Sequence, residues 1–105
     1  IEHLDPWRLA TLEEVLFARL APRRAVLTTP NAEYNRLWES LPAGKRRHHD
    51  HRFEWTRAEM DAWARAVAAR HGYACTLSGI GDPDPDCGAP TQMAVFDRTE
   101  PGDAR

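Results

Sequence analysis

The sequence predicts half of a doubly wound α/β sheet, and three observations support this. Apolar residues recur at helical spacing in two stretches, and each stretch is followed by a run typical of a strand. The last two strand-like runs are joined by a short polar loop with no helix between them, so they should pair antiparallel. The predicted order is a strand stub, a helix, a strand, a long loop, a helix and an antiparallel strand pair.

The first half of the chain contains the stub, the first helix and a strand. Residues 1–4 are predicted to be the end of a buried strand. Asp5 and Pro6 should begin a helix, since Asp is a good N-cap and Pro is tolerated at the first helical position. Pro22 should end this helix. The apolar and β-branched run at 25–29 is of the kind found in buried parallel strands.

The second helix has clear start and stop signals, whereas the preceding region has little regular pattern. Residues 30–55 contain several aromatic residues, and a loop of this length in a small domain is usually functional. Thr56 and Glu59 have the spacing of a capping box. Gly72 should end the helix, because glycine readily adopts the left-handed conformation of a C-terminal cap.

Two strands are predicted after the second helix, at 73–80 and 91–96. We therefore assign residues 1–97 to one structural unit, and residues 98–105 to a polar tail.

Composition narrows the class of protein. A chain of 105 residues with 42% hydrophobic and 29% charged residues is one globular domain at most. The formal net charge of -2 argues against a generally basic nucleic-acid binder, and no apolar run is long enough to span a membrane. Cys75 and Cys87 form neither a disulfide scaffold nor a zinc motif, so a cytoplasmic location is expected.

Candidate metal ligands occur at three separate places. Glu2 and His3 lie where the stub strand ends, residues 29–31 lie where the next strand ends, and residues 48–51 read His-His-Asp-His. The carboxyl ends of strands in such a sheet share one edge, so these groups should converge there and bind a divalent cation. The alternative is that the histidine run is a solvated surface turn.

Three motifs carry a resemblance to a known family. They are Ile-Glu-His-Leu at 1–4, Thr-Thr-Pro-Asn-x-Glu-Tyr-Asn at 28–35, and Asp-His-Arg-Phe-Glu-Trp-Thr-Arg-x-Glu at 50–59. In this order and spacing they resemble the small-RNA 3′-terminal 2′-O-methyltransferases, a family that includes the bacterial RNA-repair methyltransferase and the eukaryotic microRNA and piRNA methyltransferases. The resemblance implies that the chain is the C-terminal half of a Rossmann-like class I methyltransferase domain.

The resemblance also implies a metal site and a cofactor. One Mg²⁺ or Mn²⁺ would be held by Glu2, His3 and His51, together with a glutamate expected three positions before Glu2, ahead of residue 1. The site for S-adenosylmethionine would likewise lie upstream of residue 1, so this chain is expected to be a fragment that is inactive alone. His51 and His3 are the candidates for the general base.

RNA contacts are expected from the motifs that flank the metal ligands. Asn31, Glu33 and Asn35 would line a nucleotide pocket, and Arg52 would contact phosphate. Phe53 and Trp55 would stack on a base. Two alternatives remain open: Asn31 is also typical of turns, and the two aromatic side chains could instead pack the loop onto the sheet.

The function implied is the metal-dependent transfer of a methyl group from S-adenosylmethionine to the 2′-hydroxyl of the 3′-terminal nucleotide of RNA. The expected partners are an RNA 3′ end and, by family resemblance, an RNA end-healing or ligation enzyme, with no membrane involved. Two other classes fit the residues. One is a metal-dependent hydrolase or phosphoesterase that uses the same glutamate and histidines. The other is a non-catalytic α/β interaction module whose histidine run is surface decoration.

Overall fold

The computed structural model describes residues 1–37 and 54–99, without the side chains of residues 35–37. Residues 1–4, which were predicted to end a strand, form a turn in which Leu4 N–H donates to the Ile1 carbonyl oxygen over 3.0 Å. The prediction of a strand here was wrong, because this local bond turns the backbone away from an extended path. The amino group of Ile1 still donates to the Thr28 carbonyl oxygen over 3.1 Å.

The first helix begins and ends close to where the sequence predicts, but it changes its winding. It starts as a 3₁₀ turn over Pro6–Arg8, continues as α1 over Leu9–Glu13, and ends as a π-helix over Glu14–Leu20. The Asp5 side chain makes no capping hydrogen bond, so the fixed φ of proline is the stronger start signal. Ala21 ends the helix in the left-handed conformation, at φ 43°.

The second helix, α2, spans Arg57–His71 and confirms the predicted start and stop signals. Glu59 N–H donates to Thr56 Oγ1 over 3.2 Å, and Thr56 N–H donates to Glu59 Oε1 over 2.9 Å. Both halves of the capping box are therefore present. Gly72 adopts φ 75° directly after the helix, as the glycine stop signal predicts.

Three strands form one sheet in the order β1-β3-β2, where β1 is Arg24–Pro30, β2 is Tyr73–Ile80 and β3 is Thr91–Arg98. The predicted antiparallel pairing of β2 with β3 is confirmed. The run at 25–29 looked like a buried parallel strand, but β1 pairs antiparallel with β3, and no two strands within residues 1–37 and 54–99 pair in parallel.

The core lies between one face of this sheet and the two helices. The ring centroids of Phe17 and Phe96 are 4.8 Å apart, and those of Phe17 and Tyr73 are 5.2 Å apart. Met60 and Val67 of α2 are fully buried in the same cluster. On the opposite face of the sheet side chains such as Val26 remain exposed, so burial alternates along the strands.

Two smaller features complete the fold. β3 extends through Arg98, the first residue of the segment predicted as a polar tail, and Thr99 N–H donates to the Gly72 carbonyl oxygen. A 3₁₀ helix, Ala32–Leu37, follows β1. Within the two described ranges, no helix is both long enough and apolar enough to cross a membrane.

Candidate metal and RNA-end site

Glu2 and His3 lie beside the end of β1. A hydrogen bond from the Ile1 nitrogen to the Thr28 carbonyl oxygen holds this turn against the strand. The Glu2 side chain is 16% exposed and that of His3 is 60% exposed, and His3 Nε2 lies 3.4 Å from Glu2 Oε2. A carboxylate and an imidazole are thus adjacent and reachable from solvent.

The Glu2 side chain favours its charged form. Burial by itself would raise the pKa of the carboxyl group, since it penalises the charge. The pKa nevertheless lies below its ordinary value of 4.5, because the Glu2 backbone N–H, the Ile1 amino group and the Thr29 hydroxyl stabilise the carboxylate. At neutral pH Glu2 is therefore a carboxylate anion.

The described part of the site supplies two of the three metal ligands expected in this chain. Glu2 and His3 are adjacent, whereas His51 lies outside the described residues. Among residues 1–37 and 54–99, no group of three or more His, Cys, Asp or Glu side chains is arranged to hold a metal ion. An ionised carboxylate next to an imidazole fits Mg²⁺ or Mn²⁺ in donor chemistry.

Asn31, which was predicted to line a nucleotide pocket, is a buried structural residue. Its Nδ2 donates to the carbonyl oxygens of Cys87 over 2.6 Å and Ala89 over 2.8 Å. Its Oδ1 accepts from Glu33 N–H over 3.0 Å, which is the turn chemistry left open as the alternative. Because both amide hydrogens are used, the Asn31 side chain has no donor left for RNA.

Glu33, another predicted RNA contact, binds the start of α2. Its Oε1 accepts from Arg57 N–H over 3.0 Å and from Arg57 Nε over 2.9 Å. Arg57 Nη2 also donates to the Asp86 carbonyl oxygen over 2.8 Å. The hydrogen bond with Glu33 raises the pKa of Arg57. Sequence reasoning missed the structural role of Arg57, although the third motif contains this residue.

Gln92 was also missed, and it joins the end of β1 to the start of α2. Its Nε2 donates to the carbonyl oxygens of Trp55 over 2.9 Å and Pro30 over 3.3 Å. The only sequence signal was a polar residue in β3 at the same alternation as the apolar Ala94 and Phe96, which marks the buried face of the strand.

Trp55 packs within the protein, in line with the alternative in which the aromatic side chains hold the loop in place. Its ring centroid lies 5.5 Å from that of Trp63, and its carbonyl oxygen accepts from Ala32 N–H over 2.9 Å. Trp55 therefore packs against the core cluster. The remaining predicted RNA contacts, which are Arg52, Phe53 and the side chain of Asn35, lie outside the described residues.

A cavity of about 620 Å³ opens beside this polar cluster, between the first turns of α2 and the neighbouring ends of β2 and β3. Its wall includes Asn31, Arg57, Ala58, Leu77 and Gln92. The volume is within the range of roughly 300–1,000 Å³ that is usual for small-molecule sites.

Comparison with known proteins gives a consistent result. No family model matches this sequence. The chain is 42% identical over 101 residues to the small RNA 2′-O-methyltransferase of Xenopus tropicalis, and 31% identical over 113 residues to that of Arabidopsis thaliana. Each match covers 93% of this chain. The chain spans only 27% of the length of the frog protein and 12% of that of the plant protein.

Solved structures agree with these matches. The methyltransferase domain of bacterial CtHen1 is 45% identical with a TM-score of 0.78, and the match covers 91% of this chain and 47% of that one. The chain is similar to one part of the small RNA 2′-O-methyltransferases. The small RNA methyltransferase HEN1 gives a TM-score of 0.84 at 33% identity, covering 92% of this chain and 13% of that one. The family resemblance and the α/β methyltransferase fold are thereby confirmed for this segment.

Proposed function

We propose that this chain is the metal- and acceptor-binding part of a small RNA 2′-O-methyltransferase. The enzyme would transfer a methyl group from S-adenosylmethionine to the 2′-hydroxyl of a 3′-terminal nucleotide. The observation that carries the proposal is the position of the Glu2–His3 pair against the end of β1, in a chain 45% identical to a solved methyltransferase domain. The methyl-donor site is assigned to sequence upstream of residue 1.

Glu2, His3 and His51 are the proposed ligands of one Mg²⁺ or Mn²⁺. The ion supplies Lewis acidity, which makes a nearby ribose hydroxyl more acidic than it is in water. The distance of 3.4 Å between His3 Nε2 and Glu2 Oε2 supports this assignment, because it places an imidazole beside a carboxylate. His3 or His51 is the proposed general base, and the one that accepts the hydroxyl proton would do so through a nitrogen that is not ligating the ion at that moment.

The cavity beside α2 is the proposed site for the acceptor nucleotide. It adjoins Asn31, which directly follows β1, so it opens at the same end of the sheet as Glu2. Asn31 and Glu33 would shape this site through their hydrogen bonds to the surrounding backbone. Contacts of RNA with Asn35, Arg52 and Phe53 remain predictions from the motifs.

The physiological setting is also part of the proposal. One structural relative, 28% identical with a TM-score of 0.73, belongs to the Pnkp1/Rnl/Hen1 RNA repair complex, and the match covers 92% of this chain and 20% of that one. This similarity supports an RNA end-healing or ligation enzyme as the partner. A cytoplasmic location is supported by two free thiols, Cys75 and Cys87.

The test is methyl transfer by the full-length protein that contains this chain, with labelled S-adenosylmethionine, Mn²⁺ and a short synthetic RNA. We expect transfer to a 3′-terminal ribose and none to an RNA whose terminal nucleotide is 2′-deoxy. His51→Ala should lower the rate at least about a hundredfold, since loss of a ligand removes the ion's contribution. The control is His48→Ala, at a neighbouring histidine that is not a proposed ligand, and it should stay close to wild type.

Three other outcomes would contradict all or part of the proposal. A metal-dependent rate that survives His51→Ala would show that the ligand assignment is wrong. Metal-dependent cleavage of phosphate esters without S-adenosylmethionine would favour the phosphoesterase class. A full-length protein that neither methylates RNA nor binds Mn²⁺ would favour the interaction module.

A further inference from the structure

We propose that Gln92 is a specificity-determining residue for the acceptor nucleotide: its side-chain oxygen accepts a hydrogen bond from an N–H group of the nucleobase that enters the cavity beside α2. This inference rests on the function proposed above, and it names the chemistry by which that site would recognise its substrate. Three observations support it: the fixed orientation of the Gln92 amide, its unpaired oxygen, and the chemistry of the cavity wall.

The first observation is that the Gln92 amide can point in one direction only. Gln92 is 6% exposed, and its Nε2 lies 2.9 Å from the Trp55 carbonyl oxygen, 3.3 Å from that of Pro30 and 3.5 Å from that of Thr56. An amide nitrogen donates and an amide oxygen only accepts, so the reverse orientation would place the oxygen against three other acceptors. Oε1 is therefore turned away from these carbonyl groups.

The second observation is that this oxygen is unpaired but not sealed off. Among the described residues, no group donates to Gln92 Oε1. Thr29 Oγ1 is the one side-chain polar atom in the described ranges that is both fully buried and unpaired, so Gln92 Oε1 keeps some access from outside. Because Gln92 lines the cavity, a ligand in the cavity can reach this acceptor. A site with such an acceptor discriminates against ligands that lack the matching donor.

The third observation is the chemistry of the cavity wall. Leu77 contributes apolar surface, which suits the flat face of a base. Asp61 adds a second acceptor to the wall. Arg57 lines the cavity too, but its guanidinium is paired with the Glu33 carboxylate. Acceptors at Gln92 and Asp61 disfavour a phosphate group at this position and favour the N–H edge of a base.

The experiment compares two short RNAs that differ only at the 3′-terminal base, which is adenine in one and purine in the other. Purine lacks the exocyclic amino group of adenine, so it removes an N–H donor. Methyl transfer by the full-length protein is measured as kcat/KM with each RNA. The wild type should prefer the adenine RNA about tenfold, roughly the effect of one hydrogen bond to a buried acceptor.

Gln92→Met and Gln92→Lys remove the acceptor in different ways. Methionine removes the whole amide, whereas lysine keeps N–H donors for the carbonyl oxygens of Pro30, Trp55 and Thr56. In both variants the two RNAs should react within about twofold of each other, whatever the change in overall affinity, because they carry the same charge. Thermal melting identifies a variant that does not fold. Ser78→Ala is the control, since it removes a different polar group from the wall and should keep the wild-type preference.

Two results would overturn the inference. Equal kcat/KM with adenine and purine in the wild type would remove the base contact and leave the proposed function intact. A preference for adenine that persists in both Gln92 variants would assign the recognition to another group. Absence of methyl transfer to either RNA is a different failure, since it would contradict the proposed function itself.

Discussion

The two ends of helix α2 are each held by a glutamate–arginine ion pair, but in different surroundings. At the start of the helix, Glu33 accepts from Arg57 Nε over 2.9 Å. At its end, Glu13 accepts from Arg70 Nε over 2.7 Å and from Nη2 over 2.9 Å, and His71 Nε2 also lies 2.7 Å from this carboxylate.

The neighbours of each pair differ in polarity. At the end of α2, the His71 ring stacks on Phe17 at 5.9 Å, next to the aromatic core. At the start of α2, Asn31 and Gln92 bond to backbone carbonyl oxygens, and a cavity opens beside them. The end of α2 therefore packs against the aromatic core, whereas the start of α2 is surrounded by polar side chains beside an open cavity. We call these the closed end and the open end of the helix.

The largest expected effect is at Asn31, which anchors the open end. Asn31→Ala would leave the buried carbonyl oxygen of Cys87 and the partly buried one of Ala89 without the amide donors of Asn31. At about 1–3 kcal/mol for each unsatisfied group, we expect a loss of about 3 kcal/mol or more in the free energy of unfolding. Urea unfolding measures it. Asn31→Asp keeps the shape but loses the amide donors, so an Asn31→Asp protein as stable as wild type would contradict this account.

Removing the Glu13 charge at the closed end should have the next largest effect on stability, and this effect should depend on pH. Hydrogen bonding to Arg70 is the main cause of the lowered pKa of Glu13, against an opposing effect of burial, and His71 adds to the lowering. Stabilisation by Glu13 is thus fully present above its ordinary pKa of 4.5, and is lost as the pH falls through the lower folded value. Glu13→Gln should lower the melting temperature by about five degrees at pH 7.

The matched control for Glu13→Gln is Glu33→Gln, which breaks the more exposed pair at the open end. It should shift the melting temperature by about two degrees or less, because exposed ion pairs contribute little. The difference between wild type and Glu13→Gln should shrink as the pH falls through the lowered pKa of Glu13, because the carboxyl group then becomes protonated. A difference that stays constant from pH 7 down to the acid limit of the folded protein would show that Glu13 does not act through its charge.

Filling the cavity at the start of α2 should give the smallest effect, and this effect should be on RNA binding and not on stability. Ala58 is exposed in the first turn of α2 and lines the cavity, so Ala58→Trp should fill the space without disturbing the core. RNA affinity should fall about tenfold, roughly the value of one stacked base, with Mn²⁺ affinity unchanged. Fluorescence anisotropy with a labelled RNA measures the RNA affinity, and Ala58→Ser is the control variant. Equal affinities for both variants would exclude the cavity as the nucleotide site.

The sequence predicted those features of the fold that depend on residues close together along the chain. The capping box of Thr56 and Glu59 and the stop at Gly72 each follow from local backbone chemistry, and both are confirmed. The winding of the π-helix Glu14–Leu20 has no comparable local signal. Likewise, nothing in the pattern at 1–4 distinguished a turn from the end of a strand.

The candidate site was harder to predict because its polar residues serve distant partners. Asn31 bonds to residues 56 and 58 positions away, and Glu33 bonds to a residue 24 positions away. No sequence pattern showed that these side chains would bond to backbone groups and to an arginine. The adjacency of Glu2 and His3 needed no long-range pairing, and their contact confirms that the two side chains lie together.

The most direct test of the central claim is the position of bound Mn²⁺ in crystals of the full-length protein. An anomalous difference map at the manganese absorption edge locates the ion without reference to the protein model. We predict one peak at ligating distance from the side chains of Glu2, His3 and His51. A manganese peak bound elsewhere, or one ligated by Glu2 and His3 with His51 turned away, would contradict the account.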